Sequence, residues 1–303
     1  MSRISAWKKA LLRWGNDRLW YRWPLLLYPL AMNFRRRNGY FPNLLRPRSM
    51  NEKTLYRMLF DRRRHLPKMS GKLESRSFVR QRTGTDAHLI PLVAVMDRPE
   101  QLRDVTLPQR FILKANRGSH MTYIHRGDTP PDLDQLVQLC HTWLACDYAK
   151  YEREWVYKDV KPLLLIEELL LDEAGDIPND YKFFCFDGEP RWIRTCEDRH
   201  GIEATFTLFE PDWTLIHEEI QHGTGLLPPP ERPPHLDEML QLARTLSRGT
   251  DMVRVDLYDV DGQAWFGELT NTPDAAVLRY TPRDLDFYLG SFWKVDTRTP
   301  LDL

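Results

Sequence analysis

Apolar residues recur along this chain with two different periods, and the period changes at glycines, prolines and Asx residues. Four stretches follow the spacing of an amphipathic helix. Residues 50–65 place Leu55, Met58 and Leu59 on one side, with Asn51 as the expected cap. Residues 72–83 turn Leu73, Phe78 and Val79 inward. Residues 132–149 carry the stripe Leu133, Leu136, Leu139 and Trp143. Residues 236–249 have apolar side chains at 236, 239, 240, 243 and 246, the clearest case of the four.

Between these lie strand-like runs: LIPLVAVMD (89–97), RFILKAN (110–116) with a returning strand in RGSHMTYIHRG, and the buried-type run LLLIEELL (163–170). YKFFCFDGEPRWIRTCEDR reads as a hairpin turning at Asp187-Gly188, and ATFTLFEPDWTLI as further strand. MVRVDLYDVDGQAWFGELT (252–270) gives two strands around DVDGQ. DEAGDIPND is a loop, and LLPPPERPPH, with five prolines in ten residues, is neither helix nor central strand. Together these elements predict an α+β fold with mainly antiparallel sheets. No GxGxxG opens a strand–helix unit, which argues against a doubly wound parallel sheet.

Composition adds one fact that changes this picture. The 303 residues have no net charge, yet residues 1–80 hold 20 Lys/Arg against 4 Asp/Glu. A basic amino-terminal part on an acidic remainder points to a polyanionic partner, an anionic membrane surface or contact within the protein, and nucleic acid is the least expected partner. The first forty residues mix Trp and Tyr with Arg and Lys, a composition suited to a bilayer interface. No run reaches the roughly 18 apolar residues of a membrane span, and no secretory signal is evident. The four cysteines form no CxxC, so buried thiols in a cytoplasmic protein are expected, with peripheral contact at the inner face of the membrane through residues 1–40.

The chemistry lies in an ordered series. Lys114 closes a strand and is followed by Gly118 and Ser119, which can bring backbone N–H groups to phosphate oxygens; this is not a GxxxxGK[ST] loop. Glu167 and Glu168 end an apolar strand, where one of the two must face away from the other. Asp256 and Glu268 sit on strands joined by a hairpin and are the candidate ligands for a nucleotide-bound Mg2+, with Asn271 or Thr270 as a neutral oxygen ligand. Lys182, Arg194, Arg199 and Arg254 supply cations for a phosphate tail or an anionic acceptor, and Arg254 and Asp256, two apart in a strand, face one side. The histidines show no HExxH spacing; His120 alone is placed to touch substrate.

The stretches SMNEKTLYRMLFDRR, GKLESRSFVRQRTG, LPQRFILKANRGSH, LLLIEELL, NDYKFFCFDGEPRWIRTCEDR, LDEMLQLARTLSRG, MVRVDLY and WFGELTNTP, in this order, resemble the ATP-grasp superfamily and within it the group similar to the teichuronopeptide biosynthesis protein TupA. The resemblance implies an ATP-grasp fold of two α+β subdomains that hold ATP. It divides the chain into an extension (1–48), a helical and strand region (49–104) and subdomains over 105–165 and 166–303. It implies ATP and Mg2+ as cofactors and a carboxylate-amine ligase working through an acyl phosphate, with a small-molecule or glycan acceptor in cell-envelope or exopolysaccharide synthesis. By resemblance Lys72 and Lys114 are the two phosphate-side lysines, Gly118-Ser119 the phosphate loop, and Glu167 or Glu168 the adenine–ribose hinge. Asp256 and Glu268 are the metal ligands, and Lys182, Arg194 and Arg199 serve phosphate and acceptor. The chain departs from the group's pattern at Gly71-Lys72-Leu73, at Arg117 and His120, and at Asp274-Ala275-Ala276, where the group has a glycine-rich run. A kinase acting on a sugar hydroxyl shares the nucleotide and metal residues and differs in the acceptor pocket; a non-catalytic binder of an anionic glycan or membrane, whose binding does not depend on Glu268, is the third reading.

Overall fold

The computed structural model describes residues 24–151, 154–197, 205–220 and 229–295. Two compact units emerge. One takes the chain up to Arg62 together with Asp274–Ser291; the other takes Arg63–Pro273 with the segment from Phe292.

The first unit is helical. Helix α1 (Pro24–Asn38) turns Phe34 and Asn38 inward and ends at Gly39, whose φ of +82° is the left-handed cap that glycine adopts without strain. Helix α2 (Met50–Phe60) is capped by Ser49, not Asn51: the Ser49 side chain accepts from the Glu52 N–H, and Glu52 reaches back to the Ser49 N–H. Both residues are competent caps, and the course of the chain into the helix decides between them. Asn51 instead lies inside the helix, donating to Leu278 O at 2.7 Å and to Asn38 Oδ1 at 2.9 Å. Tyr40 donates to Asp286 at 2.5 Å, on the last helix, α8 (Arg283–Ser291). There Gly290 lets two backbones meet, since a Cβ at that position would lie 2.4 Å from Met50 N. Around these polar links pack Phe34, Leu55, Met58 and Leu59, so the end of the basic amino-terminal segment is part of a core.

The second unit holds two antiparallel sheets. Short α3 (His65–Ser70) and α4 (Lys72–Thr83) come first; the helix expected over 50–65 ends at Phe60. β1 (Leu92–Met96), β2 (Phe111–Ala115), β3 (Thr122–His125) and β4 (Leu164–Glu168) make a sheet in the order β1-β4-β2-β3. Its core face, with Phe111, Leu113, Leu164 and Ile166, packs under α5 (Leu133–Ala145), which presents Leu136, Cys140 and Trp143. That helix ends four residues earlier than its periodicity suggests, and a separate turn, α6 (Tyr148–Tyr151), follows.

β5 (Asp180–Phe186), β6 (Glu189–Glu197), β7 (Thr205–Phe209), β8 (Leu215–Ile220), β9 (Met252–Val260) and β10 (Gln263–Thr270) form the larger sheet, ordered β10-β9-β5-β6-β7-β8. The β5–β6 hairpin turns at Asp187-Gly188 and the β9–β10 hairpin at Asp261-Gly262, each pair at positive φ as a type I′ turn requires. One face of this sheet carries Phe183, Ile193, Val253, Val255, Leu257 and Leu269, and α7 (Leu236–Ser247) covers it with Leu236, Met239, Ala243 and Leu246. The opposite face carries the charges. The thiols of Cys140 and Cys185 are buried and free; burial pushes them up to about 11 and about 12.

Candidate nucleotide site

Period-two alternation places the apolar residues of the larger sheet on one face and its charges on the other. Register then lines the charges up. Glu268 pairs with Asp256 across β10–β9, Asp256 with Lys182 across β9–β5, and Lys182 with Arg194 across β5–β6. Four strands thus contribute one residue each to a single transverse row. The alternation in β10 is broken once, by a bulge between Phe266 and Glu268. Without the extra residue Gly267, Glu268 and Asp256 would still be opposite; with Gly267 in regular pairing, Glu268 would turn into the core. The bulge resolves this, and only a glycine fits there easily: a Cβ would lie 3.0 Å from the Tyr258 ring and 3.1 Å from Asp256 O.

The row is tightly paired. Arg254 donates from Nε and Nη2 to the two Asp256 oxygens, both at 2.7 Å, and from Nη2 to Glu268 Oε1 at 2.9 Å. Lys182 reaches Asp256 Oδ2 at 3.1 Å and also Asp180. Thr270 donates to Glu268 Oε1 at 2.8 Å. Burial works against ionising Asp256, but Arg254 and Lys182 outweigh it and hold the carboxyl below its ordinary value. Asp180 goes the other way: burial, aided by the Asp256 charge, raises it despite Lys182. Its Oδ1 is buried and accepts no hydrogen bond among the described residues. Arg194 is buried over the rings of Phe206 and Phe184, at 4.9 and 5.4 Å from their centroids. Arg199 lies outside the described residues.

A second cluster sits on the smaller sheet and α4. Lys114 donates to Glu167 Oε2 at 2.8 Å, and Arg76 to Glu167 Oε1 at 2.8 Å. Of the two candidate glutamates, Glu167 is therefore the buried, doubly paired one, while Glu168 is exposed. Lys72 extends to Gly118 O at 2.7 Å. Burial lowers its ammonium, with Glu268 opposing, Lys114 reinforcing and Glu167 opposing, so Lys72 lies within electrostatic reach of both clusters.

Asn116 fixes this arrangement. It accepts from the Lys72 N–H at 3.0 Å through its backbone and from the Leu73 N–H at 2.7 Å through Oδ1, and donates from Nδ2 to Glu74 and to Lys161 O, each at 3.0 Å. The loop beyond it folds under Tyr148. Gly118 has φ +85°, a Cβ there would lie 2.5 Å from the Tyr148 ring, and Ser119 Oγ is 2.6 Å from the Tyr148 hydroxyl. His120 follows at φ +59°, a strained value for a non-glycine residue. Asn271 is buried, and its Nδ2 donates to Leu66 O and Ser70 Oγ, each at 3.0 Å.

Arg76 and Tyr148 join these clusters and escape a reading of the sequence alone, whereas Asp180 is legible beside Lys182. Asp180 carries a usable signal, the same x-x+2 spacing to Lys182 that marks Arg254 and Asp256. Arg76 and Tyr148 carry none, because their partners are distant in sequence.

Residues 52–294 match the family model described as TupA-like ATPgrasp. The chain belongs to that family. ATP and Mg2+ are the cofactors of ATP-grasp enzymes, and the antiparallel α+β architecture above is the ATP-grasp fold. No curated protein sequence matches. Similar solved structures include an L-amino acid ligase from Bacillus licheniformis, at 12% identity and TM-score 0.46 over 73% of this chain and 45% of that one. Another is the D-alanine-D-alanine ligase from Helicobacter pylori, at 10% identity and TM-score 0.42 over 75% and 62%. A third is the ATP-grasp ligase PsnB complexed with a minimal precursor, at 14% identity and TM-score 0.39 over 75% and 57%. The chain thus spans about half the length of the L-amino acid ligase and of PsnB.

Asp274, Ala275 and Ala276 hold φ values of +54°, +47° and +60°. The backbone adopts a glycine conformation without glycine, at a cost of about 1–2 kcal/mol per residue.

The donor chemistry fits MgATP. Asp180, Asp256 and Glu268 offer hard oxygen ligands, one of them an orphaned buried oxygen, beside Lys72, Lys114 and Arg254. Among the described residues no three His, Cys, Asp or Glu side chains form a ready-made metal cage. A nucleotide-borne Mg2+ needs none, since phosphate oxygens complete its shell.

Proposed function

We propose that this protein is an ATP- and Mg2+-dependent carboxylate-amine ligase acting through an acyl phosphate on a small-molecule or glycan acceptor of the cell envelope. The observation that carries the reading is the transverse row Glu268–Asp256–Lys182–Arg194, with Arg254 bridging its acids and Lys72 and Lys114 close by. In it, Asp256 and Glu268 hold the metal, with Thr270 or Asn271 adjacent. Lys72, Lys114 and the Gly118-Ser119 loop hold the phosphates, and Glu167 or Glu168 meets the ribose. Bound MgATP supplies the phosphoryl group and the charge that offsets the one developing during transfer. Lys182, Arg194 and Arg254 orient an anionic acceptor, a role that Arg199 shares; the fixed positions of the first three on adjacent strands remove the need to gather charge during reaction. The amino-terminal segment, residues 1–40, keeps the enzyme at the inner face of an anionic membrane.

The test is ADP release with panels of sugar acids and amino acids, products read by mass spectrometry. A ligase releases ADP only when carboxylate and amine are both present, and yields an amide. A stable phosphate on an alcohol would instead establish a kinase, and no turnover with any acceptor would leave a binding protein.

A further inference from the structure

The outer side of the helical unit has an uncommon surface. On α1, Leu30, Phe34 and Asn38 face the core at i, i+4, i+8, which leaves Tyr28, Met32, Arg35 and Arg36 on the opposite side. Tyr28 is 64% exposed; in the segment after the helix, Phe41 is 53% and Leu45 91% exposed. Scattered exposed apolar residues are ordinary, but these are neighbours in one short stretch. Arginines surround them at 35, 36, 37, 46 and 48, and no Asp or Glu occurs between Asp17 and Glu52. None of the five arginines forms a salt bridge among the described residues. Arg35 lies over the Phe41 ring, 4.7 Å from its centroid. A groove of about 580 Å3 beside Arg35 is lined by Pro29, Met32, Asn33, Arg35, Arg36 and Gly39.

We propose that this surface, formed by the outer face of α1 and the Phe41–Arg48 segment, docks the protein onto an anionic lipid bilayer. Phe41, Leu45, Met32 and Tyr28 enter the boundary between headgroups and acyl chains, while the five arginines meet lipid phosphates. Apolar tips among cations, in a stretch without Asp or Glu from 18 to 51 and with Glu52 buried against the Asn43 and Arg48 N–H groups, match an anionic interface and mismatch a neutral one. A protein partner with an apolar groove would account for the tips but not for the absence of Asp and Glu from residues 18–51. No helix of the described residues is long and apolar enough to cross a membrane. The assignment rests on the membrane reading above and moves its centre from the tryptophans of the first twenty residues to residues 28–48.

The experiment uses the full chain and vesicles of phosphatidylcholine with or without phosphatidylglycerol, read by co-sedimentation. Wild type is expected to sediment with the phosphatidylglycerol vesicles, and increasingly less so as salt rises. Phe41→Ser/Leu45→Ser should weaken binding at least tenfold, and Arg35→Gln/Arg36→Gln should flatten the salt dependence. Both pairs are exposed, so circular dichroism and ATP turnover should match wild type. A Trp7→Ser/Trp14→Ser variant should bind within a few-fold of wild type. Absence of wild-type binding to anionic vesicles would overturn the membrane reading and this surface together. Wild-type binding that survives Phe41→Ser/Leu45→Ser would overturn the surface alone. So would a wild-type dimer, seen by light scattering, that the same variant dissociates without affecting vesicle binding.

Discussion

Asp256 and Glu268 stand opposite each other as metal-ligand candidates, yet replacing them should have separate consequences for the fold. The Asp256 side chain is 3% exposed and its two oxygens hold Arg254, 8% exposed, and Lys182, 12% exposed. Asp256→Ala therefore leaves two buried cations short of their shared counter-charge. Removing one partner of a buried pair costs about 3–5 kcal/mol, against a total stability of about 5–15 kcal/mol. At roughly 2–4 °C per kcal/mol for a unit of this size, the melting temperature should fall by about 6–20 °C. Glu268 is 43% exposed, so solvent screening limits its pair with Arg254 to at most about 1 kcal/mol. Glu268→Ala should keep its melting temperature within a few degrees while losing Mg2+-dependent ATP turnover. Acid should act in the same direction as Asp256→Ala. The Asp256 carboxyl is held below its ordinary value, so its contribution is complete above about pH 4 and is lost as pH falls through the folded-state value. Differential scanning calorimetry at pH 7 and urea midpoints from pH 6 to pH 3 measure both effects. Equal melting temperatures for the two variants, or an acid limb unchanged by Asp256→Ala, would refute the reasoning.

Lys72 provides a second expectation. Its lowered ammonium must be charged to hold phosphate, so ATP affinity should fall as pH rises through a value below the usual lysine range, and Lys72→Arg should remove that fall; equilibrium ATP binding between pH 7 and pH 10 reads both. Ala275→Gly should stabilise the protein, because glycine adopts φ +47° without the steric cost that alanine bears; a gain of about 1 kcal/mol in a urea titration is expected, less the greater freedom of glycine in the unfolded chain.

The strands were legible because their sequences carry little else. FILK, LLLIEE and MVRVDLY are β-branched and leucine runs bounded by turn residues, and Asp187-Gly188 and Asp261-Gly262 are strong hairpin signals. The facing of Arg254 with Asp256 followed from the two-residue repeat alone. Helix α1 was not legible, since Pro29 interrupts it and both of its sides carry apolar residues. The cap of α2 was misread because Ser49 and Asn51 are chemically equivalent candidates two residues apart. In the site, the pairing of Arg76 and Lys114 with Glu167 depends on residues brought together from 91 and 53 positions away, which no local pattern encodes. The bulge left a trace: the inward positions of β10 run 264, 266 and then 269, with Gly267 in the gap.

The bonds made by Asn116 have a mechanical consequence. They join the first residues of α4 to the end of β2, so Lys72 and Lys114 ride on one rigid block rather than on two parts free to shift against each other. Any movement of that block carries the backbones of both lysines together. In the proposed site a polyphosphate would meet the two lysines as one unit, the spacing of their backbones set by one amide side chain.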